Sequence, residues 1–154
     1  MRVSEIMTKA AVIDQPDDTL VEAARKMWHQ QTGSLLVLDG EDLVGIITER
    51  DILKAVAAGT SLDQTRISEA MTKDPVTVGP GTSLREAAKV MADRWIRHLP
   101  VLDGGRLVGV LSQRDLAGVL AGALNEPDAL EQLVEASELV RERRLRRVEH
   151  GVWD

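Results

Sequence analysis

A shift of 64 positions lays the first part of this chain on the second without a gap. Val3-Ser4-Glu5-Ile6-Met7-Thr8-Lys9 falls on Ile67-Ser68-Glu69-Ala70-Met71-Thr72-Lys73. Leu20-Val21-Glu22-Ala23-Ala24 falls on Leu84-Arg85-Glu86-Ala87-Ala88, and Gly45-Ile46-Ile47-Thr48-Glu49-Arg50-Asp51 on Gly109-Val110-Leu111-Ser112-Gln113-Arg114-Asp115. Of the 49 pairs from 3/67 to 51/115, 22 are identical. Such self-similarity means a tandem pair of one small unit, with any site present in two copies. A unit of about 60 residues is near the lower limit for folding alone, so the copies are expected to complete each other's burial.

Each copy reads strand, helix, strand, strand, helix. In the first, Ala11-Val12-Ile13 is a short apolar run, and Leu20, Ala23, Ala24 and Met27 recur at helical spacing. Leu35 to Leu38 and Leu43 to Ile47 are strands on either side of Asp39-Gly40, a hairpin signal. Ile52, Leu53, Val56 and Ala57 mark a second helix ending at Gly59. The second copy repeats this with strand Val76-Thr77-Val78, a helix from Ser83, strands Leu99 to Leu102 and Leu107 to Leu111, and a helix to about Gly122. The expected fold class is α+β: two tandem β-α-β-β-α repeats packed as a pseudo-twofold pair. The expected domains are residues 1–60, 61–122, and a charged amphipathic C-terminal helix over 123–154. One face of that helix carries Leu130, Leu133, Val134, Val140, Leu145 and Val148; the other includes Arg141 to Arg147.

Composition removes several function classes. The net charge is −6, which repels nucleic acid and anionic membranes. Phe and Tyr are absent, and the aromatics are Trp28, Trp95 and Trp153, too few for stacking single-stranded bases. The basic cluster in the tail alternates with Glu142 and Glu149 and reads as a solvated helix face. No cysteine is present, so no disulfide or thiolate metal site forms, and three scattered histidines do not make a metal site. No apolar run spans a membrane and no secretory signal follows Met1, so a cytoplasmic location is expected. No nucleophile sits beside a base, so no enzymatic activity is expected.

The chemistry-bearing motif is Thr48-x-x-Asp51 and its copy Ser112-x-x-Asp115. Each stands where a strand hands over to a helix. One reading is a capping box, with the hydroxyl at the N-cap and the acid answering the N-cap amide. Thr19-x-x-Glu22 and Ser83-x-x-Glu86 have the same form and read as caps alone. The other reading is a nucleotide site. Free amides and a hydroxyl at a helix start attract phosphate, and an Asp beside them accepts hydrogen bonds from a ribose diol. Gly45 and Gly109 would then permit close backbone approach. Arg50 and Arg114 either reach phosphates or pair with a surface carboxylate such as Glu49.

Two such units, each closing on Gly-apolar-apolar-Thr/Ser-x-x-Asp, resemble a pair of CBS (cystathionine beta-synthase) domains over about residues 1 to 122. The opening Met-Thr, the Val-Leu-Asp-Gly turn, Leu-Val-Gly and Arg-Asp agree in both copies. The resemblance implies a non-catalytic regulatory module with two clefts that bind an adenosyl ligand: AMP, ADP, ATP or S-adenosylmethionine. No cofactor is required. The family's phosphate-side hydroxyl maps to Thr48 and Ser112, and its ribose-binding acid to Asp51 and Asp115. Its adenine pocket maps near Val12-Ile13 and Thr77-Val78. The segment Ile96-Arg97-His98-Leu99-Pro100-Val101 matches the family's apolar-Pro-Val stretch, and Arg97 and His98 are placed to face a phosphate. The first copy has Thr32-Gly33-Ser34-Leu35-Leu36-Val37 there, without the proline or the basic residues. The second site is therefore expected to be the stronger anion site. A structural or partner-binding scaffold with empty clefts is the alternative. A homodimer through the helices is expected, and the tail helix is a candidate contact for a protein target.

Overall fold

The computed structural model describes residues 1–9, 11–123, 138, 141 and 142. The helix expected over 123–154 lies almost wholly outside them. The elements run α1 (Val3–Ile6), β1 (Ile13–Asp14), α2 (Leu20–Gln30), β2 (Ser34–Asp39), β3 (Asp42–Thr48), α3 (Glu49–Ala57), α4 (Ile67–Ala70), β4 (Thr72–Lys73), α5 (Leu84–Arg94), β5 (His98–Asp103), β6 (Arg106–Ser112) and α6 (Gln113–Ala123). The fold is α+β, two tandem repeats related by a pseudo-twofold.

Each repeat has its own apolar core. Leu20, Ala23, Met27, Leu35, Val37 and Ile47 form the first, and Ala87, Met91, Leu99, Val101 and Leu111 the second. The amphipathic spacing of α2 and α5 puts these helix positions on one face, against the inward residues of the hairpins. The opening helix of each repeat is exchanged. Val3 is fully buried in the core of the second repeat, and Ile67 in that of the first. Backbone bonds fix the exchange: Val3 N donates to Thr82 O at 2.9 Å, and Ile67 N to Asp18 O at 2.8 Å.

Strand pairing carries the exchange onward. The first sheet is ordered β1-β2-β3-β4, so its outer strand β4 comes from the second repeat. In the second sheet β5 pairs with β6, and the outer positions are single bridges, Val78 to Val101 and Thr8 to Val110. The expected strand Val76-Thr77-Val78 is thus reduced to one bridge. Pro100 gives the reason. In the first repeat Leu36 N donates to Val12 O at 3.0 Å. Pro100 occupies the matching position and has no N–H to give.

The two glycines expected to admit a ligand admit the chain's own backbone instead. A Cβ on Gly109 would stand 2.8 Å from Thr8 O, and one on Gly45 3.0 Å from Thr72 O. Met7 and Met71 crowd the same two places. These glycines let the exchanged segments cross β6 and β3.

Candidate functional site

All four hydroxyl-x-x-acid motifs are capping boxes. At the start of α6, Asp115 N donates to Ser112 Oγ at 3.3 Å, while Ser112 N and Oγ donate to Asp115 Oδ2 at 2.6 and 2.7 Å. Thr48 and Asp51 repeat this at α3, with 2.8 and 2.9 Å to Oδ2. The boxes at Thr19 and Ser83 differ in setting. Their acids, Glu22 and Glu86, are exposed, whereas Asp51 and Asp115 are half-buried. In the two Asp boxes both capping bonds land on Oδ2. Oδ1 takes no hydrogen bond among the described residues, and remains available to accept. Capping and ligand binding are therefore compatible at one carboxylate.

A cavity of about 1310 Å³ opens between the repeats. Arg97, His98, Ser112, Arg114 and Asp115 of the second repeat all line it. The first repeat supplies the facing walls: Thr8 is bridged to Val110 of β6, Val12 lies beside Leu36 of β2, and Thr32, Gly33 and Ser34 stand where the chain enters β2. The remaining expected residues do not line it. Pro100 is fully buried, and Val78 packs on the second core. Thr77 is exposed, and Ile13 is 45% exposed at the start of β1. Thr48, Arg50 and Asp51 stand at the pseudo-twofold equivalent of Ser112, Arg114 and Asp115. There β3 is flanked by β4 of the other repeat.

Glu49 is the residue that sequence reasoning passed over as a site member. Arg97 Nη2 donates to Glu49 Oε1 at 2.7 Å, an ion pair between repeats at the cavity wall. The carboxylate considered as a partner for Arg50 thus belongs to Arg97. Backbone bonds hold both bases of the pair: Gln113 N donates to Arg97 O at 2.8 Å, and Glu49 N to Gly33 O at 3.0 Å. The self-alignment carried a faint signal, since Arg97 falls on Gly33 and Glu49 on Gln113. Charge of each sign occurs once, on opposite copies.

His98 lies behind Arg97. Burial pushes its imidazole below the usual histidine range, and the neighbouring Arg97 charge pushes the same way. Glu49 and Asp115 pull against both. The ring is neutral at neutral pH and takes up a proton more readily if an anion enters.

The CBS domain profile matches residues 3–58 and 67–122. The chain belongs to the CBS domain family. It is 40% identical over 121 residues to a 17.7 kDa protein of Acidianus ambivalens, covering 77% of this chain and 73% of that one. The CBS domain protein PAE2072 from Pyrobaculum aerophilum, solved in complex with AMP, superposes with a TM-score of 0.73 at 30% identity, over 88% of this chain and 99% of that one. The CBS domain pair of MJ0100, solved with 5-methylthioadenosine and S-adenosyl-L-methionine, gives 0.74 at 28% identity, over 79% and 97%. Among the described residues of this CBS pair, no helix is long and apolar enough to cross a membrane.

Proposed function

We propose that this CBS pair is a regulatory module, without a reaction of its own, that binds an adenosyl ligand between its repeats. One observation carries the reading. Ser112, Asp115, Arg97 and His98 share a cavity with the apolar Val12 of the other repeat, whose carbonyl accepts from Leu36 N of β2. The Arg97 and Arg114 guanidinium groups suit a phosphate, the free Oδ1 of Asp115 suits a ribose diol, and Val12 suits an adenine face. Two CBS pairs of similar fold were solved with AMP and with S-adenosyl-L-methionine. Isothermal titration of the full chain with AMP, ADP, ATP and S-adenosylmethionine tests the reading. Saturable heat that Asp115→Ala diminishes is expected. Silence from all four would leave a scaffold with vacant clefts.

The module works as a homodimer in this reading. Leu53 and Val56 on α3, and Leu120 on α6, are apolar and exposed at 68, 56 and 41%. Val56 and Leu120 are pseudo-twofold equivalents, so similar apolar positions recur on both repeats. A dimer in sedimentation velocity at micromolar concentration is expected, and a monomer would remove it.

A further inference from the structure

The cavity is electrically balanced by a residue that no capping or core role requires. Its walls carry two guanidinium groups, Arg97 and Arg114, and two carboxylates, Glu49 and Asp115. Asp115 is fixed by its box, but among the described residues Glu49 is committed only to Arg97. Both side chains of that pair are more than half exposed, so the contact is reachable by a competing anion. The pseudo-twofold equivalents, Gly33 and Gln113, carry no charge, so this pair has no symmetry-related counterpart. Gly33 also leaves the room in which the Glu49 carboxylate rests: a Cβ there would lie 3.3 Å from Oε1.

We infer that Glu49 is a charge selector for the ligand site: it occupies Arg97 and sets the cavity to favour adenosyl ligands of low negative charge over triphosphates. A phosphate that reaches Arg97 must share the guanidinium with the Glu49 carboxylate or displace it, and in either case lies beside that carboxylate. The penalty grows with each phosphate added, because every further negative charge meets the same fixed anion. A ligand bearing only adenosine, or one with a cationic side chain, pays nothing at this position.

The inference rests on the adenosyl reading above, and its test separates the two. Adenosine, AMP and ATP are titrated calorimetrically into the full wild-type chain, Glu49→Gln, Arg97→Gln and the double variant. Glu49→Gln is expected to tighten ATP about two- to fivefold, the range of an exposed ion pair. AMP tightens less and adenosine not at all. Arg97→Gln, which leaves the Glu49 charge unopposed, is expected to weaken ATP more than AMP. An ATP-to-AMP affinity ratio that Glu49→Gln leaves unmoved overturns the inference, and so does one that Arg97→Gln leaves unmoved. Silence of all three compounds and of S-adenosylmethionine on all four proteins instead removes the adenosyl reading, and the inference falls with it. Glu49 is an exposed residue in the first turn of α3, and matching melting curves for the four chains exclude misfolding as the cause.

Discussion

The two repeats answer one packing problem in opposite ways. In the first, Asp14 on β1 is 3% exposed, and Lys26 on α2 reaches it at 2.6 Å, also donating to Ile13 O at 3.0 Å. In the second, the equivalent residues are Val78 and Val90, which pack on the core with no polar atom to satisfy. The polar pair has a cost. Asp14 Oδ2 is buried without a hydrogen-bond partner among the described residues, and burial pushes the carboxyl above its usual range, against the pull of Lys26. Asp18 is held below that range by the more readily protonated Asp14 carboxyl nearby and by Gln15 N, which donates to its Oδ2 at 3.0 Å. The same backbone accepts either chemistry when both members change together. The site differs by the opposite rule. Arg97 and Glu49 sit on opposite repeats, so their pairing needs both copies to be assembled.

The largest effect is expected where the repeats depend on each other. Ile67→Ala should cost about 2–5 kcal/mol and open the first core, although Ile67 belongs by sequence to the second repeat. Val3→Ala should loosen the second core by less, having fewer methyl groups to lose. Hydrogen exchange on β2 and β5 reads which core opens. Faster exchange in the mutated residue's own repeat would break the exchanged arrangement.

Next is the polar pair. Lys26→Met leaves Asp14 buried alone and should cost about 2 kcal/mol, short of a fully buried pair because the lysine is partly exposed. Asp14→Val with Lys26→Val copies the second repeat and should be neutral or stabilising. Denaturant unfolding of the three chains measures this. A double variant less stable than Lys26→Met would show that the pair contributes more than its repair.

Asp115→Ala and Asp51→Ala sharpen the contrast between the two Asp boxes. Each loses a cap worth about 1 kcal/mol, so their melting temperatures should fall together. Their ligand affinities should diverge. Asp115→Ala loses about five- to hundredfold, and Asp51→Ala clearly less, since Arg97 and His98 lie with Asp115. Equal losses would place a ligand in both clefts.

The smallest effect belongs to His98. Its folded-state pKa lies below the unfolded 6.5, so the unfolded chain binds more protons between the two values. Stability is therefore present above pH 6.5 and lost as pH falls through the lowered value. His98→Ser copies Ser34 of the first repeat and should remove that slope from melting curves taken between pH 7.5 and 5.5. An unchanged slope would assign it to another group.

Much of the fold was legible because its signals are local. The 64-residue offset, the Asp-Gly turns and the capping boxes each lie within a few consecutive residues or repeat in register. The hairpins and the four longer helices follow from them. The exchange was not legible. A four-residue helix such as Val3–Ile6 has no periodicity to read, and the two-residue β4 takes its identity from β3 of the other repeat. The second-repeat members of the site were legible as residue types, but their company was not. Val12 and Glu49 join Arg97 only through contacts that cross the pseudo-twofold. Gly109 advertised close approach without saying whose backbone would approach.

The exchanged helices also set a timetable for synthesis. Val3 is made about a hundred residues before Leu111, which closes the core that Val3 enters. At common translation rates that is a wait of roughly 5 to 20 s. The first repeat waits too, until Ile67 emerges, but by then every other member of its core is already outside the ribosome. The half translated earlier is thus finished first, and its opening helix stays unhoused longest. A pause in translation anywhere between residues 73 and 111 would prolong the exposure of that apolar segment without touching any residue of the native interface.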